Sequence, residues 1–153
     1  MKITELMDVD MVIPELNSKK KKDVLKEMVD CIVTKVPDIY GNELLRVLLE
    51  REELGSTGIG DGIAIPHGKI KNIDKLVISC GRSIPGVDFQ SMDGKPTHII
   101  FLLVAPENSA GVHLKVLARI SRLLKDSGFR KSIIEANSSK ELYDIIAQED
   151  EKY

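Results

Sequence analysis

A chain of 153 residues is long enough for one domain with a sizeable core, and a composition of 42% hydrophobic and 30% charged residues is that of an ordinary globular protein. A net charge of -2 gives no general pull toward nucleic acid or anionic membrane, and no stretch approaches the roughly 20 apolar residues of a membrane span. The lead Met1-Lys2-Ile3-Thr4-Glu5 has no signal-peptide pattern, and the two cysteines, Cys31 and Cys80, lie far apart in apolar segments; buried free thiols and a cytoplasmic location are expected.

Residues 1–16 form a mixed lead in which Val9 to Ile13 reads as a short strand. Ser18 is placed to cap a helix over 19–36, where Leu25, Met28, Val29, Ile32 and Val36 recur at helical spacing. The run Lys19 to Lys22 falls in its first turn, where cations oppose the helix dipole; it reads as a solvated face, with a docking patch for an acidic partner as the alternative. Pro37 and Gly41 mark a turn, and a second helix from about Asn42 to Leu54 buries Leu44, Leu45, Leu48 and Leu49. Gly55 breaks it, and Gly58, Gly60 and Gly62 follow in a loop.

A short apolar strand, Ile63-Ala64-Ile65, is stopped by Pro66, which delivers His67 off a strand end next to Gly68. A polar connection through Asn72 leads to a β-rich segment, Lys75 to Ile84, ended by Pro85-Gly86. Val87 to Pro96 reads as loop, with Asp93-Gly94 as its turn. Thr97 to Ala105 is nearly all apolar, as a central strand covered on both faces would be, and Pro106 terminates it. Asn108 or Ser109 is placed to cap a helix over about 110–125 with the stripe Val116, Leu117, Ile120, Leu123 and Leu124, and His113 lies on the same side one turn earlier. Gly128 reads as a helix stop, a short helix passes through Ile133 and Ile134, and Ser138 with Glu141 makes a capping box for a last helix ending in a frayed, charged tail from Gln148. Helices and strands alternate without a linker or repeat. The expectation is a single α/β domain over 1–153, a sandwich with a mixed sheet of about five strands flanked by helices.

The glycine stretch fails as a nucleotide motif. Gly58, Gly60 and Gly62 give G-x-G-x-G with Ile63 where the dinucleotide fingerprint needs glycine, and Gly62 to Lys69 has one residue too many for a P-loop and Ile70 at the magnesium-binding position. Consecutive amides in glycine-rich backbone can still cradle an anion. An imidazole is largely neutral near pH 7, so His67 has a ring nitrogen with a free lone pair, fit for a nucleophile, base or metal ligand. His113 near a helix N-terminus is a second member or a packed cap histidine. Arg51 offers a fixed cation to an anion or pairs with a nearby glutamate, and Ser56 and Thr57 donate hydroxyls to the anion or shape the turn. His98 reads as structural. A histidine nucleophile, an arginine, hydroxyls and loop amides around a small dianion fit phosphoryl transfer through phosphohistidine, from a protein donor, with no cofactor.

The run Arg51-Glu52-Glu53 with Ser56-Thr57-Gly58-Ile59-Gly60-Asp61-Gly62-Ile63-Ala64-Ile65-Pro66-His67-Gly68 resembles the signature of the EIIA type-2 domain, the mannitol/fructose and nitrogen-regulatory class of the phosphoenolpyruvate-dependent phosphotransferase system. Gly86-Val87-Asp88-Phe89, Phe101 to Pro106, and His113-Leu114 with Leu117-Ala118 extend the resemblance over nearly the whole chain. It implies that His67 is phosphorylated, with HPr or its nitrogen-branch relative as donor. An EIIB domain accepts in sugar uptake, whereas in a regulatory protein phosphorylation controls partner binding. It also implies His113 and Arg51 in the active site. The hydroxyls and loop amides themselves make Ser56, Thr57, Gly58, Gly60 and Gly68 the expected phosphate-binding residues. Nothing matches an EIIB or EIIC part, so a stand-alone EIIA is expected. His98 stands where an aliphatic residue is expected. A metal-dependent hydrolase using His67 and His113 is the reading from another class.

Overall fold

The computed structural model describes residues 2–153 and contains an α/β fold built on one mixed six-stranded sheet. Two 3-10 turns, Ile3–Leu6 and Val9–Met11, lead into β1 (Val12–Ile13). Helices α1 (Lys21–Lys35) and α2 (Gly41–Glu53) come next, then β2 (Gly58–Gly60), β3 (Ile63–Ala64), β4 (His67–Ile70), β5 (Val77–Val87) and β6 (Thr97–Pro106). Helices α3 (Val112–Lys125), α4 (Ser127–Glu135) and α5 (Ser139–Asp150) complete the chain.

The apolar run of β6 is the central strand. It lies antiparallel to β5 and parallel to β3 and β4, in a sheet ordered β1-β5-β6-β3-β2 with β4 also on β6. Side chains alternate across a strand. Ile99, Phe101 and Leu103 therefore join a core with Val116 and Ile120 of α3, Ile133 of α4 and Ile146 of α5. Ile100, Leu102 and Val104 join a second core with Leu25 and Met28 of α1 and Leu44 and Leu48 of α2.

β3 and β4 hold the same register against β6: Ile63 faces Ile99, and His67 faces Leu103. They form one line beside β6 interrupted at Ile65-Pro66, and the Pro66 carbonyl still accepts from the Leu103 amide at 2.9 Å. β2 covers β3 only, so the outer side of β4 lies beyond that cover. The expected polar connection after His67 is thus in fact a strand, and with β2 formed within the expected glycine loop it completes the mixed sheet of about five strands at six.

Other expectations are corrected. β5 continues through Pro85 because the ladder shifts register between Arg82 and Val87, and a bulge needs no amide from proline. His98 fills that bulge: its Nδ1 donates to the Ser83 carbonyl at 3.0 Å, which accounts for a histidine in an apolar strand. Gly86, at φ 91°, is required there, since a Cβ would fall 2.9 Å from the His98 ring. Neither Ser18 nor Ser109 caps a helix. α1 starts after Lys20 and α3 after Gly111, both without a side-chain cap. Gly128 lies inside α4, because Asp126 ends α3 and caps α4 through the amides of Gly128 and Phe129. The Ser138 cap on α5 stands, with Oγ accepting from the Glu141 amide at 3.1 Å. The tail is not frayed. Asp150 is buried and paired with Arg119 at 2.7 Å. Arg82 is buried too, donating to the carbonyls of Pro14, Ile133 and Ala136 and so tying β5 to the C-terminal end of α4.

Candidate active site

His67 opens β4, half-buried, with its Nδ1 2.9 Å from the Ile65 carbonyl oxygen. A carbonyl only accepts, so Nδ1 carries the ring proton and the lone pair of the neutral ring is on Nε2. The contact spans Pro66, whose fixed φ and buried ring stiffen the mount.

Gly68 lets α2 come close to this strand. A Cβ at Gly68 would sit 2.7 Å from Val47 Cγ1, so only glycine admits the helix at this distance. The last turn of α2 then brings Arg51 to the same side, where its Nη1 donates to the Gly55 carbonyl at 2.9 Å. Among the described residues no carboxylate lies within ion-pair distance of Arg51, so its charge is free of a glutamate partner.

His113 stands in the first turn of α3, with Nδ1 2.8 Å from the Ser109 hydroxyl. Burial, then the Lys69 charge, then His67 hold its pKa below the usual imidazole value. The partial positive charge of the helix N-terminus acts in the same direction.

His67, His113, Arg51, Gly68 and Lys69 line one cavity of about 630 Å³. Its apolar lining includes Leu54 and Leu114, which are 85% and 61% exposed. A lone-pair nitrogen, a guanidinium, an ammonium and a neutral imidazole therefore converge on one space ringed by accessible apolar groups. That arrangement stabilises a small dianion and accepts an electrophile at Nε2. Among the described residues no three His, Cys, Asp or Glu side chains cluster as a metal site requires, so the hydrolase reading lacks its donor set.

Ser56, Thr57, Gly58 and Gly60 are not brought to this cavity. The Ser56 hydroxyl donates to the Phe89 carbonyl at 3.2 Å and accepts from the Gly58 amide at 3.0 Å. Thr57 is buried, and its hydroxyl and amide both bond the carboxylate of Glu52. Glu52 is 8% exposed and paired with Lys21 at 2.9 Å. Lys21 in turn lies 5.0 Å over the Phe89 ring. One member of the basic run is therefore an anchor for the glycine loop. Gly58 and Gly60 pair with β3. Sequence reasoning passed over Lys69, Leu54 and Leu114. Lys69 had a local signal, since the period of two puts it on the same face as His67 once β4 is known to be a strand.

The chain matches the family model described as "Phosphoenolpyruvate-dependent sugar phosphotransferase system, EIIA 2" over residues 5–149. It is 40% identical over 98% of its length to the PTS system fructose-specific EIIABC component of Bacillus subtilis, of which it spans 24%. It is 39% identical over 96% of its length to a nitrogen regulatory protein of Bradyrhizobium diazoefficiens, covering 95% of that protein. Among solved structures, the nitrogen regulatory protein IIA-Ntr of Neisseria meningitidis superposes with a TM-score of 0.87 at 30% identity, over 94% of this chain and 98% of that one. The site thus sits on a fold and a sequence that agree from one end of the match to the other, and the chain belongs to the EIIA type-2 family of the phosphoenolpyruvate-dependent sugar phosphotransferase system.

Proposed function

We propose that His67 carries a phosphoryl group on Nε2, received from HPr or its nitrogen-branch relative and passed to an EIIB domain. The supporting observation is the hydrogen bond from Nδ1 to the Ile65 carbonyl, which leaves the Nε2 lone pair on a residue lining the same cavity as Arg51 and Lys69. In the transfer, Nε2 attacks phosphorus and the P–N bond forms as the donor's P–N bond breaks. The ring gains positive charge, which the Ile65 carbonyl stabilises through the Nδ1 proton. Arg51 and Lys69 neutralise the phosphoryl oxygens as charge spreads over them. Exposed Leu54 and Leu114 give a protein donor or acceptor an apolar footing.

The test is intact mass after incubation with phosphoenolpyruvate, Enzyme I and HPr. Wild type should gain one acid-labile phosphoryl group and His67→Ala none, with unchanged circular dichroism. An unmodified wild type, beside a competent control EIIA, would remove the carrier reading. Arg51→Ala should slow transfer about 100-fold with little change in donor affinity.

A regulatory reading has its own support. The nitrogen regulatory relative is matched over 95% of its length, whereas the fructose-specific relative is matched over 24% of its own. Both readings use His67 in the same way. Rapid delivery of labelled phosphoryl to an EIIB domain would favour transport; retained label with phosphorylation-dependent partner binding would favour regulation.

A further inference from the structure

Two histidines line the cavity, and their ring protons decide what each can do. His67 is fixed by a partner that can only accept. The partner of His113 is a hydroxyl, which can donate or accept, so the direction has to be argued. Among the described residues, the His113 ring nitrogen is the one protein group within hydrogen-bond distance of the Ser109 hydroxyl. A serine whose oxygen accepted from Nδ1 would leave its own proton without a protein acceptor in a half-buried position, whereas a serine that donates satisfies both groups. Ser109 is free for this because it is not the cap of α3: that place belongs to Gly111, which has no side chain. Ala110 and Gly111, at φ 54° and 86°, both take left-handed backbone and fold the chain so that Ser109 lies over the first turn.

Resting on the phosphohistidine reading of His67, we infer that Ser109 is a positioning residue: its hydroxyl donates to Nδ1 of His113 and holds that ring as the Nε2–H tautomer, facing the phosphoryl group with a donor. The two rings then carry opposite protonation patterns. One offers a lone pair at Nε2 and makes the bond; the other offers N–H at Nε2 and binds the phosphoryl oxygens. Two rings with lone pairs at Nε2 would repel the dianion. Burial first, then the Lys69 charge, favour the neutral state of His113 that this pairing needs, and the helix N-terminus acts in the same direction.

Long-range proton–nitrogen correlation spectra of the uniformly 15N-labelled, unphosphorylated chain, taken at a pH where both rings are neutral, test this directly. In wild type, His113 should show a protonated Nε2 and a bare Nδ1, and His67 the reverse. Ser109→Ala should move both His113 nitrogens toward the averaged values of a freely exchanging ring, while Ser109→Thr, which keeps the hydroxyl, should hold them at wild-type positions. Ser109→Ala should also slow phosphoryl acceptance about tenfold at unchanged donor KM, with Ser109→Thr recovering most of the loss. A wild-type His113 protonated on Nδ1, or nitrogen shifts indifferent to Ser109→Ala, would overturn the inference. These spectra need no phosphoryl transfer. Failure of wild type to accept a phosphoryl group would strike the carrier reading, and the nitrogen shifts would still decide the tautomer.

Discussion

Gly68→Ala tests whether the site depends on how closely α2 approaches β4. The added Cβ would meet Val47 Cγ1 at 2.7 Å and Leu48 Cδ2 at 3.6 Å. The second contact is ordinary; the first is well inside van der Waals distance. Valine in a helix is nearly confined to one rotamer, so the methyl cannot swing away freely and the helix has to shift instead. Overpacking of this kind costs about 2 kcal/mol. For a domain of this size that corresponds to a fall in Tm of roughly 4–8 °C. Arg51 rides on the displaced helix, so phosphoryl transfer should slow as well. Val47→Ala alone removes both γ-methyl groups of a half-buried side chain and costs about 1 kcal/mol. In the double variant the clash is gone, and most of the Gly68→Ala loss should return, giving a coupling of about 1–2 kcal/mol in a double-mutant cycle read by urea unfolding. Additive losses in that cycle, or a Gly68→Ala protein as stable as wild type, would refute the close-approach argument and leave Gly68 as a residue of the cavity wall only.

Three further outcomes are expected. Glu52→Ala removes the acceptor for Thr57 and the partner of Lys21, and should cost about 3–5 kcal/mol in urea unfolding; a loss under about 1 kcal/mol would mean that the loop is held by other contacts. His113 should titrate by NMR with a midpoint below 6.5, since its proton binds more weakly folded than unfolded; the stability it contributes is full above that value and is lost as pH falls through the folded midpoint. Lys69→Gln should raise that midpoint, and a midpoint above 6.5 or indifferent to the substitution would contradict the assigned surroundings. Arg82→Met leaves the carbonyls of Pro14, Ile133 and Ala136 without their donor and should cost about 3 kcal/mol; near-wild-type thermal stability would show that water replaces the guanidinium.

The parts of this fold legible in the sequence are those with a local period. The apolar run of β6 announced a strand covered on both faces, the stripes of α1, α2 and α3 announced amphipathic helices, and Ser138 with Glu141 announced a helix start. His67 was legible because Pro66 and Gly68 frame it, and His113 because it continues the stripe of α3. What stayed hidden depends on partners remote in sequence. His67-Gly68-Lys69-Ile70 has one aliphatic residue, and it is a strand only because β6 pairs with it. Ser56 and Thr57 adjoin the glycine loop in sequence, yet local pattern does not say which way a hydroxyl faces; the carboxylate of Glu52 decides it for Thr57. The buried pairings of Glu52 and Asp150 were hidden because their partners, Lys21 and Arg119, lie in other helices.

The alternation of β6 between two cores bears on cooperativity. α2, which carries Arg51, packs on one face of that strand, and α3, which carries His113, packs on the other. Detaching either layer would strip one half of the strand's side chains while the other half still depended on the same backbone. Partial melting is thereby penalised, and no intermediate retains only some of Arg51, His67, Lys69 and His113 in place at low cost. Loss of the cavity and global unfolding become one transition, with the set of lining groups present in full or not at all.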